Sequence, residues 1–232
     1  MRVDLHVHTR HSPDATLRPR ELIARARDAG FDRIAITDHN TMEGAYEAHS
    51  LDPDFIILGE EIDTAEGTDL IGLFLGEPIP RGLPLAEVAA RIREQGGIVY
   101  APHPFAYLYR PDRHSQRALD AADVVEAVNA RAFLPRWNQR ALAAGVARGL
   151  PVAAGTDAHF PHEVGRAWTE MPAFQDVTQF RVAIRHAVPV LANTAGPLVH
   201  VASLGLEGLR RTGALLSGRR PYRVRWAPSE NA

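Results

Sequence analysis

The sequence contains no cysteine and no lysine. Without cysteine the chain can form neither a disulfide nor a thiolate metal site, so any metal ion must be held by nitrogen and oxygen ligands. All 26 basic residues are arginine, and the formal net charge of −2 argues against a nucleic-acid partner larger than a nucleotide or a short oligonucleotide. No apolar run approaches the roughly 18 residues that cross a bilayer, and the opening residues lack a signal-peptide pattern. We therefore expect no membrane partner and a cytoplasmic location.

Short apolar strands alternate with amphipathic helices along the 232 residues. A strand, a polar cluster and a helix follow one another six or seven times, which is typical of an α/β barrel with its functional groups where the strands end. The sequence predicts one barrel domain over residues 1–200. Residues 201–232 carry six arginines against two glutamates and are predicted to form a basic C-terminal helix and extension, packed on or trailing the barrel. Residues 105–116 are predicted to be a loop.

Two histidines share one side of the first predicted strand, within residues 3–9. Side chains alternate between the two faces of a strand, so His6 and His8 project together, away from Val7. Such a pair can chelate one metal ion, because neutral imidazole is a ready metal ligand. Two unrelated surface or core histidines are the alternative for this stretch alone.

Further imidazoles and carboxylates follow later strands. Together with the first pair, the candidate ligands are His6, His8, Asp14, His39, Glu61, Asp69, His103, Asp157 and His159. Nitrogen and carboxylate ligands suit zinc, manganese or iron, and nine ligands are too many for one ion, so two or three divalent ions are implied. Asp38 and Asn40 are expected to hold ligands in place, Asp4 to cap or to pair with an arginine, and Glu60 to be a solvated neighbour of Glu61.

Six short motifs occur in a fixed order along the chain. They are DLHVHT at 4–9, SPD at 12–14, TDHNT at 37–41, GEE at 59–61, HP at 103–104 and GTDAH at 155–159. This combination resembles the PHP (polymerase and histidinol phosphatase) superfamily from Asp4 to about His162. The resemblance implies a distorted barrel of seven β/α units with a trinuclear metal centre, like that of the small stand-alone metal-dependent phosphoesterases.

The resemblance also implies how the ligands are shared among the ions. One ion would be held by His6, His8, Glu61 and Asp157, a second by Glu61 and His103, and a third by Asp14, His39 and His159. Many members of the family have histidine where this chain has Asp69. Aspartate can still ligate the second ion, but it changes the charge and the softness of that site.

We therefore predict a hydrolase of phosphoester bonds. A hydroxide bound to the metal ions near Glu61 would be the nucleophile, so no catalytic side chain is assigned. Arg10, Arg131 and His162 are the candidates for contacts with a small phosphorylated substrate. Two alternatives stay open: a metal-dependent amide or lactone hydrolase that uses the same ligands, and a non-catalytic accessory module of the PHP fold.

Overall fold

The computed structural model describes residues 1–106 and 112–216. The strands in these ranges form one sheet and are β1 (Arg2–Val7), β2 (Arg33–Ile36), β3 (Ile56–Asp63), β4 (Asp69–Leu73), β5 (Ile98–Ala101), β6 (Val124–Asn129), β7 (Val152–Gly155), β8 (Ala167–Glu170) and β9 (Val188–Leu191). The α-helices are α1 (Pro19–Asp28), α2 (Glu43–Leu51), α3 (Leu85–Glu94), α4 (Asp112–Ala121), α5 (Pro135–Ala147), α6 (Val177–Ala183) and α7 (Leu198–Leu216). The predicted single-domain α/β barrel is confirmed.

The barrel is distorted because β4 and β8 run against the other strands. Neighbouring strands pair in parallel from β1 to β3 and again from β5 to β7, whereas β4 is antiparallel to both β3 and β5. The sheet closes where the end of β7 meets β1, since Asp157 N donates to His6 O at 2.8 Å and His8 N donates to Ala158 O at 3.0 Å. This closure places the residues after β7 directly beside His6 of β1 and His8, which follows β1.

Helices cover the outside of the barrel through regularly spaced apolar residues. In α3, Leu85, Val88, Ala89 and Ile92 are buried, which is the i, i+3, i+4, i+7 spacing of one helix face. The parallel strands are buried on both faces, as all four residues of β2 and of β5 illustrate, because helices cover one side and packed side chains fill the other.

Two parts of the fold differ from the sequence-based prediction. Residues 112–116 belong to α4, although the whole stretch 105–116 was predicted to be a loop; residues 107–111 lie outside the described residues. Strand β8 was not predicted at all. It is only four residues long and gains its hydrogen bonds from antiparallel partners distant in sequence, with Arg2 opposite Glu170 and Val3 opposite Thr169.

Helix α7 crosses the predicted boundary between residues 200 and 201. It contacts the loop after β1, because Ser203 Oγ donates to Asp14 O at 3.3 Å and Arg210 donates to Ser12 O at 2.6 Å. Four arginines of the predicted basic extension, at 219, 220, 223 and 225, lie outside the described residues, and the division into two segments stays a prediction. Within the described ranges, every helix is too short or too polar to span a bilayer.

Glu60 is fully buried, so the expectation of a solvated side chain is wrong. It alternates with Glu61 along β3 and accepts a hydrogen bond from the backbone N–H of Ile79 at 2.7 Å. Burial raises the pKa of this carboxyl to about 7. The side chain therefore favours its neutral form in the folded protein.

Glu60→Gln is expected to stabilise the protein at alkaline pH. The folded-state pKa lies above the unfolded value, so the stability contribution of the carboxyl is complete below about pH 4.5 and is lost as the pH rises through about 7. Glutamine stays neutral and can still accept from Ile79. We expect the free energy of unfolding to rise by about 3 kcal/mol at pH 8 and by about 1 kcal/mol or less at pH 5, measured by urea denaturation. An equal gain at both pH values would contradict this account.

Candidate metal centre

Four ligand atoms from three strand ends converge inside the barrel. His6 Nε2 lies 3.0 Å from His8 Nε2, 3.3 Å from Glu61 Oε2 and 3.5 Å from Asp157 Oδ1. His8 Nε2 lies 3.3 Å from Glu61 Oε2 and 3.2 Å from Asp157 Oδ1. Atoms bonded at about 2.1 Å to a tetrahedral ion lie about 3.4 Å from one another. The spacing of these four atoms therefore fits one metal ion held between them.

Glu61 lies at the centre of the wider cluster because its two carboxylate oxygens face different imidazoles. Oε2 contacts His6 and His8 and also lies 3.2 Å from His39 Nδ1, whereas Oε1 lies 3.1 Å from His103 Nε2. Ligand atoms of Glu61, Asp69 and His103 also fall within 4.8 Å of one another. The two oxygens of this carboxylate therefore face two different groups of imidazoles.

A third group of donors lies on the other side of His8. His159 Nε2 is 2.9 Å from Asp14 Oδ2, and His39 Nε2 is 3.8 Å from the same oxygen. Ring nitrogens of His8, His39 and His159 lie within 4.8 Å of one another. The structure thus brings all nine candidate ligands into one connected cluster.

Second hydrogen bonds orient three of these histidines. His6 Nδ1 lies 3.1 Å from a carboxylate oxygen of Glu126, and His159 Nδ1 lies 2.7 Å from a carbonyl oxygen. His8 Nδ1 lies 3.1 Å from Ser12 Oγ, which gives its own proton to Asp38 at 2.7 Å. Each partner accepts, so each Nδ1 carries the hydrogen and each Nε2 is free to bind a metal ion.

Asp38 supports the loop after β1, as expected for a residue that holds ligands in place. Its carboxylate accepts from Thr9 N and Thr9 Oγ1, both at 2.6 Å, in addition to Ser12 Oγ. Helix α2 approaches this carboxylate through Gly44, where a Cβ atom would lie 2.0 Å from Asp38 Oδ2. Only glycine leaves room for the carboxylate at that position.

Burial and mutual attraction shift the pKa values of the cluster strongly. Burial alone would lower the pKa of His8, but the carboxylates of Asp157 and Glu61 outweigh it and raise that pKa to about 9. Burial alone would raise the pKa of Glu61, but the imidazoles of His39 and His6 hold it well below its usual value. Without a cation, His8 therefore favours its protonated form, whereas burial lowers the pKa of His159 to about 4. A divalent ion replaces the proton of His8 when it binds.

Strained backbone occurs at three positions of the centre. Asn40, His103 and Asp157 have φ angles of 56°, 28° and 54°, in the left-handed region that side chains other than glycine seldom adopt. Such a conformation costs on the order of 1 kcal/mol or more at each residue and persists only where surrounding contacts impose it. His103 and Asp157 are candidate ligands. The fold therefore places these two side chains in the centre at a cost in local backbone stability.

The predicted substrate contacts lie around the cluster rather than inside it. Arg10 is half exposed and pairs with Glu47 at 3.2 Å, and the exposed His162 lies beside the ring of Phe160. Arg131 is buried, with its Nε 3.2 Å from a carboxylate oxygen of Glu163, and it donates to Val199 O and Ser203 Oγ of α7. Their roles in substrate binding stay predictions.

Asp4 and Glu126 lie beneath the cluster with contacts that the sequence did not indicate. Asp4 was expected to cap or to pair with an arginine, but it accepts from Thr156 N at 3.0 Å and from Thr156 Oγ1. Glu126 was not singled out. Its one signal in the sequence is an acidic residue inside the apolar strand β6, where a buried carboxylate needs polar partners.

An α/β barrel with imidazoles and carboxylates converging at its strand ends defines the class of metal-dependent hydrolases. The sequence model of the PHP domain matches residues 4–107, and that of the PHP-associated region matches residues 135–189. The chain belongs to the PHP family.

The chain is also similar to individual proteins in sequence and in structure. An uncharacterised protein of Methanocaldococcus jannaschii is 39% identical over 142 residues, which are 55% of this chain and 82% of that protein. The structure of PsfC from Pseudomonas syringae superimposes with a TM-score of 0.62 at 18% identity, over 90% of this chain and 98% of PsfC. A candidate metal-dependent phosphoesterase from Bifidobacterium adolescentis superimposes with a TM-score of 0.55 at 21% identity, over 68% and 87% of the two chains. These two structures share the fold of this chain.

Proposed function

We propose that the chain is a metal-dependent phosphoesterase that hydrolyses a small phosphorylated metabolite or a nucleotide, as a phosphatase or a phosphodiesterase. The observation that carries the proposal is the position of Glu61, whose carboxylate contacts four imidazoles and so can bridge two ions. The Bifidobacterium protein with the same fold is named for this activity.

Two or three zinc, manganese or iron ions would be held by the cluster. The three sets of ligands are His6, His8, Glu61 and Asp157; Glu61, Asp69 and His103; and Asp14, His39 and His159. Bound ions supply Lewis acidity, neutralise phosphate oxygens and lower the pKa of water, so that no side-chain nucleophile is required. The second set contains two carboxylates and one imidazole, which favours the harder of these cations.

The charge of the ligands supports a reaction that depends on cations. Four of the nine ligands are carboxylates, and an anionic phosphate would be repelled from them unless bound cations reversed the local charge. The side chains of Asp14, His39, His103 and Asp157 are 12–23% exposed, whereas those of His6, His8 and Glu61 are at most 1% exposed. A substrate therefore approaches from the side of the partly exposed ligands. The buried His6, His8 and Glu61 close the opposite side of the site to solvent.

The test is a substrate panel with the metal ion controlled. Protein purified without added metal is analysed for bound metal and then assayed with Mn²⁺, Zn²⁺ and Fe²⁺ restored in turn. The proposal predicts turnover of p-nitrophenyl phosphate or bis-p-nitrophenyl phosphate. Turnover of amides or lactones alone would overturn it in favour of the second hydrolase hypothesis. Bound metal without turnover on any substrate would instead indicate an accessory module.

A further inference from the structure

Glu126 is a fully buried carboxylate at the base of the metal centre. Its Oε1 lies 3.1 Å from His6 Nδ1, and its Oε2 accepts from the backbone N–H of His103 at 2.7 Å and from Asn129 Nδ2 at 3.0 Å. Gly155 leaves the space for it, since a Cβ there would lie 2.5 Å from Oε1. Three donors from three parts of the chain thus converge on one side chain.

The contact with His6 determines which ring nitrogen is free. A carboxylate can only accept, so His6 Nδ1 carries the hydrogen and Nε2 is left bare toward His8, Glu61 and Asp157. The same bond fixes the rotation of the ring. His6 has the correct form and orientation for a ligand only while Glu126 accepts at Nδ1.

The contact with His103 holds a strained backbone. His103 has a φ of 28°, and its amide hydrogen bond to Glu126 Oε2 is short, at 2.7 Å. This backbone directs the ring so that Nε2 lies 3.1 Å from Glu61 Oε1. The second oxygen of Glu126 therefore supports a ligand that lies on the other side of Glu61 from His6.

We propose that Glu126 is a positioning residue that couples two groups of ligands. The first group is His6, His8, Glu61 and Asp157, and the second is Glu61, Asp69 and His103. Both groups are expected to lose metal affinity when this one carboxylate is altered. The inference rests on the proposed metal centre but concerns a residue that does not ligate. Oε1 of Glu126 contacts His6 and Oε2 contacts His103. Because the two oxygens belong to one rigid carboxylate, the position of His6 depends on that of His103.

The test is Glu126→Gln, which keeps the size of the side chain but offers one acceptor to three donors. The amide oxygen is best used by His103 N and Asn129, which turns the NH₂ toward His6 and opposes a hydrogen on Nδ1. We expect zinc and manganese affinities, measured by competition with a chromophoric chelator, to fall by about 10- to 100-fold for ions at both groups. In the zinc-loaded protein, the His6 Nδ1–H resonance is expected to shift from its wild-type position.

Glu126→Asp serves as the second variant because it keeps the charge and shortens the side chain. A shorter carboxylate cannot reach His6 and His103 together, so this variant is also expected to bind metal at least about 10-fold more weakly. Glu60→Gln is the matched control, since Glu60 is equally buried but accepts from Ile79 and not from the ligands. We expect wild-type metal binding from the control.

The outcomes separate this inference from the proposed function. Wild-type affinity in both Glu126 variants, with an unmoved His6 resonance, would overturn the positioning role and leave the metal centre intact. Weakening by Glu126→Gln with wild-type affinity in Glu126→Asp would also overturn it, because charge alone would then be enough. If the wild-type protein binds no metal, the proposed function itself is contradicted.

Discussion

His39→Ala and Asp157→Asn are each expected to lower phosphoester turnover by about a thousandfold or more, which corresponds to about 4 kcal/mol in the activation barrier. His39→Ala removes a ligand, and Asp157→Asn removes the negative charge of one. Both residues lie on the partly exposed side of the metal centre, where the substrate would meet the ions. Asparagine is chosen at position 157 because Asp157 has a φ of 54°, which asparagine tolerates better than alanine. The measurement is kcat at saturating metal and substrate.

His186→Ala is the matched control for the loss of an imidazole, because His186 is exposed and lies in a short turn after α6. It is expected to retain wild-type turnover. All three variants should keep the fold, since none of the three side chains belongs to the apolar core. Near-normal turnover in folded His39→Ala or Asp157→Asn protein would show that the cluster is not the catalytic centre.

Removal of metal by chelation is expected to lower the melting temperature by about 8–16 °C. An ion present at about 1,000 times its Kd stabilises the folded state by about 4 kcal/mol, and for a chain of this size each kcal/mol corresponds to about 2–4 °C. The reason lies in the ligand geometry, because the donors are assembled only in the folded protein. Thermal unfolding is measured before chelation, after it, and after Mn²⁺ or Zn²⁺ is restored.

The metal-free protein should also lose stability as the pH rises. The pKa of His8 is raised to about 9 in the folded state, so its stabilising contribution is complete below about pH 6.5 and is lost as the pH rises through about 9. Metal-loaded protein should not show this loss, because the ion takes the place of the proton. Identical melting curves with and without chelator across this range would refute the predicted centre.

The location of the candidate ligands was predictable from the sequence because it depends on local order. Alternation along β1 and into the next residue places His6 and His8 on one face. The parallel strands of a barrel bring their carboxyl ends to one edge. Hydrophobic periodicity likewise indicated most helices. Strand β8 was missed because its four residues are defined by pairing with β1 rather than by a pattern of their own.

The amino-acid sequence by itself determined the barrel class and the set of nitrogen and oxygen donors, since strand order and side-chain alternation are local properties of the chain. Only the tertiary structure decided how these donors are shared. Glu61 contacts both His6 and His103, and Glu126 contacts the same two residues. These contacts join positions that are 23 to 120 residues apart. Such distances depend on barrel closure and on glycine-sized gaps such as Gly155, which a strand pattern does not contain.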